Sequence, residues 1–145
     1  MTDTDTGNVA RTIIKYRQHM QVSYGAGDTT GGIIVGTGTA AVTPTDYKLQ
    51  TPIAHGTGAG QLSYGATAVG APSNDSTKSW LNITRLLTNG SGSSITINEA
   101  GVYAICFDSG YNIRLFCIIR DLVPGGYTIP NRANTTATYK IQATS

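Results

Sequence analysis

Charge is scarce in this chain. Lys, Arg, Asp and Glu make up 12% of its 145 residues, and ten Lys plus Arg against eight Asp plus Glu leave a formal charge of +2. A nucleic-acid partner requires Lys and Arg gathered on one face. The nearest to a basic run is Arg11, Lys15 and Arg17, which with Thr12, Ile13, Ile14 and Tyr16 between them reads as an exposed strand edge. Long apolar runs are missing too. No stretch approaches the roughly 18 residues of a membrane span, and the opening MTDTDTGN is the opposite of a signal peptide. Neither nucleic acid nor membrane is therefore expected as a partner, and assembly in a cytoplasm is expected over secretion.

Cysteine and histidine are just as rare. Cys106 and Cys117 are the two cysteines. With a turn centred near Ser109, Cys106 faces Asn112 and Cys117 faces Gly101, an offset of roughly 16 Å at strand rise. A disulfide needs Cα atoms within about 7 Å, so buried free thiols are expected, as in a reducing compartment. His19 and His55 lack the short regular spacing of metal ligands. No metal or other cofactor is expected.

What the chain does have is Thr and Gly, with 22 of the first and 18 of the second. That balance, with few Lys and Glu, opposes exposed helices and favours strands joined by turns. The densest apolar block, GVYAICFDSGYNIRLFCIIRD over 101–121, reads as a central hairpin with strands 102–107 and 111–120 about Asp108-Ser109-Gly110. Alternation puts Tyr111, Ile113, Leu115, Cys117 and Ile119 on one face and Asn112, Arg114, Phe116, Ile118 and Arg120 on the other.

Around this hairpin, strands are expected over 11–24 (packing through Ile13, Tyr16, Met20, Val22 and Tyr24), 33–35, 61–69, 80–88, 95–97, 127–129 and 135–143. In 61–69 one face holds Leu62, Tyr64, Ala66 and Ala68; in 80–88 the faces are Leu81, Ile83, Arg85 and Leu87 against Trp80, Asn82, Thr84, Leu86 and Thr88; in 135–143 Tyr139 and Ile141, with Ala137 and Ala143, are expected inward. Thr43-Pro44 with Asp46 predicts a capped helical turn or two over 43–49, pressing Tyr47 and Leu49 on the sheet. Residues 25–32, 70–78, 89–93, 98–101 and 122–126 read as loops and turns. The expected fold is all-β: a single-domain, jelly-roll-like sandwich or barrel of about eight strands over residues 11–145, after a flexible N-terminal arm, 1–10.

Candidate chemistry is weak throughout. The clusters Gly36-Thr37-Gly38 and Gly56-Thr57-Gly58-Ala59-Gly60 lack the following helix of a phosphate loop and read as turns. Asp46, Glu99, Asp108 and Asp121 show no pairing of the kind a glycosidase needs, and three occupy turn or cap positions. A Cys–His nucleophile pair is disfavoured because strand burial raises a thiol's pKa. Asn82-Ile83-Thr84 and Asn134-Thr135-Thr136 match the glycosylation pattern, which without a secretory signal reads as chance. The chain is not expected to be an enzyme.

Three segments nevertheless carry a resemblance: IIVGTGTAAVTPTDYKLQTPI (33–53), ITRLLTNGSGSSITINEAGVYA (83–104) and IIRDLVPGGYTIPNRANTTATYKIQAT (118–144). In order and wording they resemble small β-rich structural proteins of tailed bacteriophages, with a GTGT…TP.DY.L segment, then ITI.E.G.Y, then RD…IP…TY.I. Leu86-Leu87 departs from the aromatic-polar pair of that pattern. The resemblance implies a virion component, a capsid decoration (cement) protein on the head surface, with the major capsid protein and its own copies, as a homotrimer, for partners. It also implies an N-terminal arm laid on the capsid protein, with Thr2, Asp3, Thr4, Asp5, Thr6, Asn8 and Arg11 as contact residues. The alternatives are a tail-tip or fibre-associated module meeting host glycans through 25–32 and 70–78, and a small carbohydrate-active β-protein or lectin.

Overall fold

The computed structural model describes residues 2–12 and 21–144, and among them every regular element is a strand. In chain order these are β1 (Thr2–Thr4), β2 (Ala10–Thr12), β3 (Gly32–Gly36), β4 (Ser63–Val69), β5 (Ser73–Asn74), β6 (Lys78–Thr88), β7 (Ile95–Phe107), β8 (Ile113–Ile129) and β9 (Asn134–Thr144). The expected packing residues Ile13, Tyr16 and Met20, the basic positions Lys15 and Arg17, and His19 lie outside the described residues.

All pairings between these strands are antiparallel. One sheet runs β3-β7-β8. In the other, β9 pairs with β6 along its whole length, while β4 and β5 share the opposite edge of β6. The inward rows of the two sheets meet in one core of Ile33, Val35, Ile53, Leu62, Tyr64, Ile83, Leu87, Ile95, Ile97, Val102 and Ile129, with Ala137 and Tyr139 of β9 packed against it. The β-branched residues that dominate it suit pleated, half-buried strands. The chain is all-β, as composition predicts, and its two packed sheets make it a sandwich, one of the two architectures that the strand spacing allows.

Bulges change much of the detail. β7 runs unbroken through 98–101 and β8 through 122–126, where the sequence predicts turns. Ile97 pairs with Tyr127 and Glu99 with Leu122, so Asn98 and residues 123–126 are left over between them as an irregular bulge. Gly125 and Gly126, at φ 75° and 71°, let the backbone make that detour. A second bulge lies between Val102 and Tyr103, paired with Ile119 and Cys117. The hairpin register shifts in consequence: Cys106 faces Arg114 and Cys117 faces Tyr103, not Asn112 and Gly101. Three residues still separate the two cysteines along β7, about 10 Å at strand rise. Both thiols are free, Cys106 buried and Cys117 half-buried.

Burial along 111–120 follows neither expected face cleanly. Tyr111 and Ile113 of the wholly apolar row are exposed while its Leu115, Cys117 and Ile119 are half-buried, and Phe116 and Arg120 of the mixed row are buried. In β4 a bulge between Tyr64 and Thr67 turns Thr67 inward and leaves Ala66 and Ala68 exposed. The predicted helical turn over 43–49 is a β-turn: Asp46 N–H donates to Thr43 O at 3.1 Å, and Asp46 Oδ2 accepts the Thr43 N–H at 2.8 Å. The capping chemistry is as expected, but no helix follows it. Leu49 is fully buried and Tyr47 partly so.

Candidate functional site

The three segments that carry the resemblance converge on one cluster. Asp46 comes from the first, Glu99 from the second and Arg120 from the third. Arg120 Nη1 lies 2.6 Å from Asp46 Oδ2, and its Nε and Nη2 each lie 3.0 Å from Glu99 Oε2. Its remaining N–H groups reach Ala40 O and Ala41 O at 3.0 and 3.4 Å. Glu99 is 0% exposed. Besides Arg120 it accepts backbone N–H groups from Gly38, Gln50 and Thr51 at 3.3, 3.0 and 2.7 Å. Burial opposes the charge of Arg120, but the Asp46 and Glu99 carboxylates outweigh it and hold its pKa above the ordinary value. The Asp46 carboxyl is held below the usual range, first by the Thr43 N–H and then by Arg120.

This network straps the loop between β3 and β4 onto the outer face of β7 and β8. The Leu49 N–H donates to Tyr103 Oη at 2.7 Å, and Leu49 packs with Ile34 and Tyr103. A Cβ on Gly101 would stand 2.8 Å from Ile119 O and 3.1 Å from Leu49 Cδ2, so glycine makes room for the strap. The glycines of Gly36-Thr37-Gly38 act likewise, since a Cβ on either would come within 2.5 Å of Glu99 Oε1. The loop does cradle an anion, as its composition invites, but the anion is the chain's own glutamate.

Other candidates are likewise engaged in the fold. Asp108 Oδ1 accepts the N–H groups of Gly110 and Asn112, each at 2.9 Å, and Oδ2 pairs with Arg114 at 2.9 Å. The Asn112 N–H first, then Arg114, bring its carboxyl down to about 2. His55 Nδ1 accepts the Tyr64 N–H at 3.1 Å, and Gly58 N–H closes the second glycine cluster onto Gln61 Oε1 at 3.0 Å. Arg85, on the apolar row of β6, is wholly buried. Its guanidinium stacks 4.8 Å from the Tyr64 ring centroid and donates to the carbonyls of Gly65 (2.8 Å), Gly31 (3.1 Å), Ile33 (3.0 Å) and Asp28. No group of three or more metal-ligating side chains gathers among the described residues. Asp46 and Glu99 are the carboxylates brought together, and Arg120 lies between them. Asp121 stands apart at the cleft described next.

Among the described residues, one long side of the sandwich is open. There the second half of β8 and the free edge of β9 flank a cleft of about 400 Å³. Its floor reaches Val35, Ile97 and Ala100; Leu122, Val123, Pro124 and Tyr127 form one wall, and Ala137 and Tyr139 the other. Leu122 is 36% and Tyr127 51% exposed, and Ile141 of β9, expected to anchor inward, is 43% exposed. Burial first, and then the neighbouring Asp121 carboxylate, raise the pKa of the Tyr139 hydroxyl. Sequence reading misses this cleft because it lies between β8 and β9, strands of different sheets that no local pattern brings together.

The segment read as an arm is a hairpin over residues 2–12, in which Thr2 pairs with Thr12, Asp3 with Arg11 and Thr4 with Ala10. Asp5 is its hub: Oδ1 accepts the N–H groups of Gly7 and Val9, each at 3.0 Å, and Oδ2 pairs with Arg11 at 2.9 Å. Burial alone would raise its pKa, but Arg11 and these N–H donors bring it below the usual range. Thr6 N–H donates to Leu115 O at 2.9 Å, which fastens the hairpin to β8. Thr2, Asp3 and Asn8 are exposed, Asn8 at a left-handed φ of 61°. Compared with family models, with curated proteins and with solved structures, the chain matches none.

Proposed function

We propose that this chain is a structural component of a tailed-bacteriophage particle, a capsid decoration protein that binds the assembled head and its own copies by contact and turns over no substrate. The observation that carries this reading is the strap. The residues by which the chain resembles phage structural proteins, Asp46, Leu49, Glu99, Gly101, Tyr103 and Arg120, are joined by the ion pairs and packing that hold the loop to the hairpin. Such residues maintain a stiff scaffold, which leaves the open side and the N-terminal hairpin as surface for partners. A protein that binds the assembled shell and not its free subunits shifts the equilibrium toward the shell.

The test is co-sedimentation of the purified protein with purified heads lacking it. Saturable binding to heads, with none to isolated tails, supports the reading. Binding to tails alone, or to glycans of the host surface with heads left bare, would move the protein to the tail.

A further inference from the structure

The sandwich has four sheet edges, and three are guarded in the ways that keep monomeric β-proteins from pairing. On β3, Ile53 N–H donates to Val35 O at 2.9 Å, so the chain after the strap covers that edge. On β4, Tyr24 and Thr67 exchange backbone bonds at 3.3 and 2.8 Å, and a bulge breaks the strand. β8 is tied to Thr6 near one end and interrupted by Pro124 and the glycine bulge towards the other. β9 has none of these. It is an eleven-residue strand without proline or bulge, and among the described residues its backbone bonds run to β6. Its single charge, Lys140, rests over β6 with Nζ 4.5 Å from the Trp80 ring centroid, and leaves the edge open to a second strand in registers that keep it from facing another lysine.

We infer that the free edge of β9 pairs antiparallel with β9 of a second copy, about a two-fold axis through Tyr139. Tyr139 is the midpoint of Asn134–Thr144, so this register gives the greatest overlap of the two strands. It also gives the best side-chain match. Lys140 stands opposite Thr138 of the second copy; shifting the register by one pair in one direction would instead set the two lysines face to face, which destabilises a sheet. On the other face, the exposed Ile141 meets the small Ala137 of the second copy. The contact is isologous and closes with two chains. The stoichiometry favoured by this edge is thus a dimer in place of the trimer that the resemblance implies. The inference stands apart from the place of the protein in a particle, and its failure would leave the decoration reading intact.

The test is the concentration-dependent mass of the full chain by light scattering and sedimentation, with two variants at Thr138, whose side chain is exposed on the outer face. Thr138→Glu places a carboxylate across from each Lys140 and should tighten the dimer roughly 2- to 30-fold, two cross-strand pairs being gained. Thr138→Lys should loosen it by a similar factor, and salt should shrink both effects. Circular dichroism checks that each variant keeps the β-fold. A folded protein that is monomeric or trimeric throughout, or a dimer indifferent to both substitutions, overturns the inference.

Discussion

At the scale of single residues, the polar groups that look reactive in the sequence are mostly satisfied by the backbone. Arg120 has a side chain 4% exposed between two carboxylates. Removing it leaves Glu99 buried without its cation, a change that costs about 3–5 kcal/mol. Arg120→Leu should therefore lower the urea midpoint sharply. Glu99→Gln should cost less, about 1–3 kcal/mol, because the amide oxygen still accepts from the strap and Arg120 keeps Asp46. Equal losses in the two variants would contradict the network as described.

Asp108 sets a pH window. Its folded pKa, about 2, lies below the ordinary value of about 3.9, so the unfolded chain takes up the proton first as pH falls. The stability it contributes is complete above about pH 5 and is lost through pH 4 toward 2. Asp5, Asp28, Asp46 and Asp75 shift in the same direction and add to the slope. Thermal midpoints of the wild type and Asp108→Asn, measured from pH 7 down to 2, should differ most at neutral pH and converge at the acid end. Parallel curves would mean that the carboxylate of Asp108 is not held as described.

At the scale of elements, alternation identifies β6 and β9 well, because neither contains a bulge. Of the two faces that alternation gives β6, Leu81-Ile83-Arg85-Leu87 is the one turned to the core; of the expected β9 row, Ala137 and Tyr139 pack inward, whereas Ile141 and Ala143 are exposed. β4, β7 and β8 defeat the same reasoning, since one extra residue moves every later side chain to the other face. The Gly-Gly of 125–126 looks like a turn in sequence, yet the long β7–β8 ladder carries the chain straight past it. The strap is legible only in part. Thr43 and Asp46 announce their own turn, but Asp46 and Arg120 are 74 positions apart, and no local pattern links them. Asp5 hides in the same way, since its partners depend on a hairpin that alternating Thr and Asp do not suggest.

The N-terminal hairpin behaves as a separable element. Its internal bonds centre on Asp5, and Thr6 fastens it to β8. Deleting residues 1–8 should leave the thermal midpoint of the sandwich within a few degrees, as expected for a loss of about 1 kcal/mol, while weakening attachment to heads. Unchanged occupancy on heads would remove the hairpin from the contact.

At the scale of the whole molecule, one side is fixed by the strap and, among the described residues, another is left open. The strap covers the outer face of the β7–β8 hairpin and uses the residues that carry the phage resemblance. The cleft and the β9 edge lie on the open side, where exposed Leu122, Tyr127 and Ile141 give a partner apolar surface to cover. A rigid domain with such an edge suits an assembly built from many weak, repeated contacts. The most direct measurement is electron cryomicroscopy of the intact phage particle on which the proposal places this chain. The account predicts density for the sandwich at many symmetry-related positions on the outside of the head, with the N-terminal hairpin against the shell. Density confined to the tail, or a head surface without it, would contradict the account.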